Sequence, residues 1–205
     1  MKLTQYDAVI FDLGGVIINL NYDLTIQAFE ELGMQNFSQV YTQLAQSTLF
    51  DDYETGRISS QYFINKLLDH VPPGTSPNRI VAAWNSMILD IPVEKPQLLM
   101  SLKTEMPIFL LSNTNEIHMQ KVNRAWETSS NAALENHFSK VYLSYEMGMR
   151  KPDLAIFQKV CAEQGLVPKN TLFIDDSPQH IAGAQLAGLQ TLHLKHPEEF
   201  YDLFS

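Results

Sequence analysis

Four places in the chain set chemically capable residues just beyond a short apolar run. Asp12 follows Ala8-Val9-Ile10-Phe11, Ser112-Asn113-Thr114-Asn115 follows 108–111, Lys151-Pro152-Asp153 lies beyond 141–143, and Asp175-Asp176-Ser177 follows 171–174. A carboxylate at the end of a buried strand is costly unless it is paired or bound to a cation. Adjacent Asp175 and Asp176 repel, and they stay ionised together only beside a cation, a lysine or solvent. A hard divalent ion meets that need with oxygen ligands. Each position alone has a plainer reading. Asp12 could cap a turn, Ser112 and Asn113 a helix, Lys151 could be a solvated neighbour of a helix start at Pro152-Asp153, and Asp175-Asp176-Ser177-Pro178 an acidic helix entrance. The joint placement of three acids, a hydroxyl, an amide and a lysine is what points to a site.

The elements that must position these residues are short. Apolar runs at 8–11, 108–111, 141–143, 171–174 and 191–194 read as strands, with stretches of helical length between them at 116–134, 154–164 and 178–187. That alternation predicts an α/β fold, a Rossmann-like, mostly parallel sheet with helices on both faces. The carboxyl ends of such strands line one crevice, which is where the polar residues fall. Residues 20–90 have a different rhythm, with helices expected at 23–32, 38–49, 59–70 and 77–88. Asn19, Ser59 and Ser76 are expected caps or turn formers, and Pro72-Pro73-Gly74 interrupts the helices on either side. The segment 89–97, with Pro92 and Pro96, would carry the chain back to the second strand. The expected organisation is therefore a core of 1–18 and 91–205, interrupted by an all-helical insert at 19–90.

Composition narrows the partners. A chain of 205 residues with 45% apolar content can bury one sizeable core and a small accessory unit. The formal charge of −9 argues against a nucleic-acid footprint or an anionic membrane surface, so an anionic ligand must be met by local donors. Cys161 is the only cysteine, which excludes an internal disulfide, and it reads as a small buried side chain. The opening lacks the basic start and apolar core of a secretion signal, and no apolar stretch approaches the roughly 18 residues a bilayer requires. A cytoplasmic location is the expectation. His118, His137 and His180 share no metal-ligand spacing, and His180 is expected on a helix surface, with a place near the crevice as the alternative.

The motifs Phe11-Asp12-Leu13-Gly14-Gly15-Val16, Leu111-Ser112-Asn113, Lys151-Pro152 and Phe173-Ile174-Asp175-Asp176-Ser177 resemble, in order and spacing, those of the haloacid dehalogenase-like hydrolase superfamily. Ala182-Gly183-Ala184 and Ala187-Gly188 resemble the helix and turn that follow its fourth motif. The insert at 19–90 is similar to the small helical cap of the phosphatase branch acting on soluble metabolites. The resemblance implies a Mg²⁺-dependent phosphatase in which Asp12 attacks phosphorus to give an aspartyl-phosphate. It further implies that Mg²⁺ is held by the Asp12 carboxylate, the Gly14 carbonyl and Asp176, with Asp175 beside that shell or paired with Lys151. Ser112, the Asn113 backbone N–H and Lys151 would grip the phosphoryl oxygens and oppose charge developing in the transition state.

Gly14 departs from the superfamily pattern. Most such phosphatases carry there a second aspartate, which protonates the leaving alcohol and helps activate the hydrolytic water. Losing general acid–base help of this kind is worth about 10² to 10⁴ in rate. Some relatives acting on sugar 1-phosphates also carry glycine, and the first motif is similar to that of a bacterial phosphatase of α-D-glucose 1-phosphate. An anomeric oxygen leaves more readily, so a small phosphorylated metabolite such as a sugar 1-phosphate is the expected substrate. Specificity is expected in the insert, where the turn Tyr53-Glu54-Thr55-Gly56-Arg57-Ile58-Ser59 makes Arg57 the candidate contact to a sugar hydroxyl or second anion. Two alternatives remain: a catalytically weak phosphate-binding or regulatory module, and a metal-independent haloacid dehalogenase.

Overall fold

A computed structural model describes residues 3–34, 37 and 48–204 of the chain. Strand β1, Ala8–Phe11, is buried along its whole length because both of its faces are covered. Its even and odd residues part company. Val9 and Phe11 join a cluster with Ile108, Leu110, Leu172 and Ile174, whereas Ala8 and Ile10 join one with Phe109, Leu111 and Phe173. This period of two, repeated across neighbouring strands, is why the runs read as continuously apolar.

The other strands are β2 (Ile108–Ser112), β3 (Lys140–Leu143), β4 (Thr171–Asp175) and β5 (Gln190–His193). They form one parallel sheet in the order β3-β2-β1-β4-β5. Helices Glu94–Glu105 and Glu116–Ser130 supply Leu99, Leu102, Met119, Val122 and Trp126 to one face. Helices Leu154–Gln164 and Pro178–Leu186 supply Ile156, Phe157, Val160, Ile181 and Ala184 to the other, with Cys161 buried among them.

The insert packs around a cluster of its own. Helices Tyr22–Glu31, Leu49–Glu54, Ser60–Leu68 and Pro77–Trp84 bring together Phe29, Phe50, Phe63 and Trp84, joined by Ile117 of the core helix. Phe50 stacks on Trp84 with ring centroids 5.5 Å apart, and Tyr53 on Phe63 at 4.2 Å. The helix expected at 38–49 falls almost wholly outside the described residues.

Several element ends differ from expectation, each for a local reason. Asn21 rather than Asn19 caps the first insert helix, its Oδ1 accepting from the Asp23 N–H at 3.0 Å. Asn19 instead donates to the Asp90 side chain at 3.1 Å and bonds the Leu89 and Asp90 backbone, tying the outgoing chain to the returning one. Ser59 caps as expected, whereas Ser76 makes no side-chain cap bond. The helix from Glu116 stops at Ser130 because Asn131 turns left-handed, at φ 55°. The return segment expected at 89–97 is overtaken by the helix Glu94–Glu105: Pro96 sits in its first turn, where a missing N–H breaks no intrahelical bond. That helix carries buried Lys95, whose Nζ donates to the Val16 carbonyl at 2.7 Å and so braces the loop after Asp12. No helix among the described residues is long and apolar enough to cross a membrane.

Candidate active site

The carboxyl ends of β1, β2 and β4 lie side by side, since Phe11 is in register with Leu110 and with Ile174. Asp12 and Asp175 are thereby neighbours, and the loop after β3 brings Lys151 between them. Lys151 Nζ donates to Asp12 Oδ1 and to Asp175 Oδ2, each at 2.7 Å, with the lysine and Asp175 fully buried and Asp12 7% exposed. One ammonium thus serves two carboxylates with two of its three N–H bonds.

The loop holding Lys151 is clamped from two sides. Asn113 Nδ2 donates to the Lys151 carbonyl at 2.8 Å while its Oδ1 accepts from the Lys151 N–H at 2.9 Å. From the other side, a Cβ on Gly183 would strike the Pro152 carbonyl, so the helix after β4 can press against Lys151-Pro152 only with glycine there. Ser112 is buried at the end of β2, and its hydroxyl has only a marginal 3.5 Å approach to the Asn113 carbonyl.

The electrostatics follow from that shared charge. Burial pushes the Asp12 carboxyl up to about 6, outweighing the pull of Lys151, with Asp175 adding repulsion. For Asp175 burial pushes upward too, but Lys151 and His180 override it and hold the carboxyl below its usual range. His180 Nδ1 sits 3.0 Å from both Asp175 oxygens, and the Ser177 N–H donates to Asp175 Oδ1 at 2.8 Å. Burial lowers the proton affinity of Lys151, yet the two carboxylates more than compensate and keep it charged. Asp12, Asp175 and Asp176 can each offer an oxygen within 4.8 Å of the others. Two acids beyond what one lysine neutralises make an oxygen donor set suited to a hard divalent ion. Gly15, at φ 72°, lies so close to Asp176 that any side chain there would strike its carboxylate.

Two adjoining cavities open from this point. The larger, about 270 Å³, is lined by Asp12, Gly14, Asn113, Asp176 and His180, together with Arg150 and Glu54. The smaller, about 140 Å³, runs from Gly14 and Ser112 under the insert to Trp84 and His118. Both include Leu20, Tyr22 and Glu54.

The sequence-predicted residues Asp12, Gly14, Ser112, Asn113, Lys151, Asp175 and Asp176 therefore meet in one place. Arg57 does not join them. It is 65% exposed and pairs with Asp52 at 3.1 Å, because Gly56, at φ 68° beneath the Tyr145 carbonyl, turns the chain outward after Glu54. From the same loop it is Glu54 that faces the crevice, with Arg150 from the core. His180, expected on a helix surface, reaches back to Asp175. No periodicity marks these three; the signals are adjacency to Lys151 for Arg150, membership of the insert turn for Glu54, and for His180 its place in the first turn of the helix after Asp175-Asp176-Ser177.

His118 is a test of burial rather than of chemistry. It stacks on Trp84 at 5.1 Å and bonds Asn85 through Nδ1 at 2.9 Å, and desolvation, with Lys121 adding repulsion, lowers its pKa to about 3. Between pH 6.5 and 3 the unfolded chain then takes up a proton at this site that the folded chain refuses, so its contribution to stability is full above pH 6.5 and declines on acidification. Relative to His118→Gln, the parent should lose about 1.4 kcal/mol per pH unit below 6.5, measured by urea unfolding between pH 7 and 5.

A family model described as haloacid dehalogenase-like hydrolase matches residues 6–188. The chain belongs to that family. Among curated proteins it is 28% identical over 183 residues to a D-ribitol-5-phosphate phosphatase of Bacteroides thetaiotaomicron, covering 89% of each chain. Among solved structures, this haloacid dehalogenase-like hydrolase superposes on a family enzyme from Bacteroides thetaiotaomicron in complex with magnesium and inorganic phosphate, with TM-score 0.90, 38% identity, and 98% and 100% of the two chains covered. It also matches a HAD-like family hydrolase from Porphyromonas gingivalis, with TM-score 0.83, 33% identity, and 92% and 91% covered.

Proposed function

We propose that this protein is a Mg²⁺-dependent phosphomonoester hydrolase that acts on a small phosphorylated metabolite through an aspartyl-phosphate at Asp12. The observation that carries the reading is buried Lys151 bridging Asp12 and Asp175 behind a crevice that Asp12 and Asp176 line, with the three carboxylates close enough to form a cation site. The named activity of the ribitol-phosphate relative supports it.

The Asp12 carboxylate, the Gly14 carbonyl and Asp176 would hold Mg²⁺, with Asp175 behind them. When bound, the ion would supply positive charge to offset that of the nucleophile and the phosphoryl oxygens. Asp12 attacks phosphorus with the oxygen not committed to Lys151. The third N–H of Lys151, the Ser112 hydroxyl and the Asn113 backbone N–H receive the phosphoryl oxygens, and they are held there before reaction, so little reorganisation accompanies the transition state. Asn113 and Gly183 fix the lysine, and His180 fixes Asp175. Residues 19–90 act as a cap over the core formed by 1–18 and 91–205, closing the crevice above the leaving group. Gly14 supplies no proton, which favours a sugar 1-phosphate among the candidates unless another acid is present.

Phosphate release from a panel of sugar 1-phosphates, sugar-alcohol phosphates and aryl phosphates, with and without Mg²⁺, tests the reading. Turnover that requires Mg²⁺ is expected. Hydrolysis of haloacids without metal, or no turnover of any phosphate, would replace it with the dehalogenase or the binding module. Asp176→Asn should weaken Mg²⁺ binding, read by calorimetry, at least about tenfold, since residues behind a metal shell already cost that much. Equal affinity would remove Asp176 from the ligand set.

A further inference from the structure

Gly14 leaves the proton-transfer role without its usual side chain, and the space is not vacant. A Cβ there would lie 2.6 Å from Leu20 Cδ1, so Leu20 fills the position from which an acid at residue 14 would act. Across the crevice, Glu54 lines both cavities together with Gly14, Leu20 and Asn113. Its Oε2 is buried and has no hydrogen-bond partner. Arg150 Nη2 comes within 3.1 Å of that oxygen without the alignment a hydrogen bond needs, while its Nη1 is taken by Asp51. The ion pair with Arg150 offsets part of the cost of ionising this buried oxygen, but with no hydrogen bond the rest of that cost stands until the group is protonated.

We propose that Glu54 replaces the missing aspartate as the general acid and base of the reaction, which makes primary alkyl phosphates competent substrates. The inference rests on the phosphatase reading above. As Asp12 Oδ bonds to phosphorus and the bond from phosphorus to the leaving oxygen breaks, the Glu54 proton passes to that oxygen, releasing an alcohol and leaving a Glu54 carboxylate. A water then attacks phosphorus and gives its proton to Glu54 as the bond to Asp12 breaks, yielding inorganic phosphate and restoring both side chains.

Electrostatics agree with this assignment. Burial pushes the Glu54 carboxyl up to about 7 against the pull of Lys151. Arg150 pulls the same way as Lys151, but its charge is divided with Asp51. An incoming phosphate dianion favours the protonated form. The chain just after Glu54 is held in place: Thr55 Oγ1 donates to the Asp51 carbonyl at 2.6 Å, and Gly56 packs beneath Tyr145.

The test is kcat/KM of Glu54→Gln against the parent, with Mg²⁺, on p-nitrophenyl phosphate and on primary alkyl phosphates including ribitol 5-phosphate. The ratio kcat/KM reports the first irreversible step, so slow loss of phosphate from Asp12 does not enter it. The variant should lose about 10² to 10⁴ on alkyl phosphates and less than about 5-fold on p-nitrophenyl phosphate, whose leaving group needs no proton. It should also show a burst of p-nitrophenol, because the phosphoenzyme forms quickly and decays slowly. Equal losses on both substrate types, or no loss, with the parent active, would overturn the role of Glu54 alone. A parent inactive on every phosphate would overturn the phosphatase reading and this inference with it.

Discussion

Asp12→Asn should abolish turnover while leaving the protein folded. The amide cannot displace an alkoxide from phosphorus, and removal of a covalent nucleophile typically lowers kcat by at least about 10⁴-fold. Rapid quenching should trap phosphoenzyme in the parent and none in the variant. Stability should move little. Orphaning one member of a buried ion pair usually costs about 3–5 kcal/mol, but here Lys151 keeps Asp175 at 2.7 Å. Burial already holds the Asp12 carboxyl at about 6, so the ionised side chain is under strain at neutral pH and a neutral amide relieves it. Urea unfolding at pH 7 should therefore place the variant level with the parent or above it. Full activity in Asp12→Asn would assign the nucleophile elsewhere.

This combination of an active site and an overdrawn charge explains why part of the site is legible in the sequence. Asp12, Asp175 and Asp176 stand out because each interrupts or ends a run that is otherwise apolar, and a β-strand buried on both faces tolerates such residues only where they are paired. The strand positions are legible for the same reason, each within a residue of its run. The helix Glu94–Glu105 is not legible, because Pro92 and Pro96 look like breakers until the first turn is known to begin at Glu94. Glu54 and Arg57 show a different limit. Glu54 ends the helix Leu49–Glu54 and Arg57 lies just past the turn that follows, both are charged, and which of them enters the crevice depends on the left-handed bend at Gly56 and on the Tyr145 carbonyl above it. That carbonyl belongs to another element, 89 residues away by number, so no local pattern carries the information. The clamp of Asn113 on Lys151 is hidden likewise, since its amide was read for its backbone N–H while its side chain does the holding.

Lys151→Met should have the larger effect on stability. The lysine is fully buried and is the shared partner of two buried carboxylates, so its removal leaves Asp12 and Asp175 facing each other without a cation. Breaking such an arrangement costs about 3–5 kcal/mol, and methionine fills the volume of the stem without supplying charge. Unfolding in urea at pH 7 should show that loss. Its pH dependence gives the sign of the cause. With their pKa values raised in the folded variant, the two carboxyls take up protons that the unfolded chain does not bind until near pH 4, so the variant should gain stability as pH falls from 7 to 5. Mg²⁺ should stabilise the variant more than the parent, because the ion no longer competes with the ammonium for Asp12; at 100 times the dissociation constant the gain is about 2.7 kcal/mol. Activity should not return with it, since the phosphoryl oxygens have lost their N–H donor, and kcat should remain about 10² to 10³ below the parent. A variant as stable as the parent at pH 7 would mean that Asp12 or Asp175 is already neutral in the native protein, and the cation site would then have to be drawn around Asp176 and the carboxylate that stays ionised.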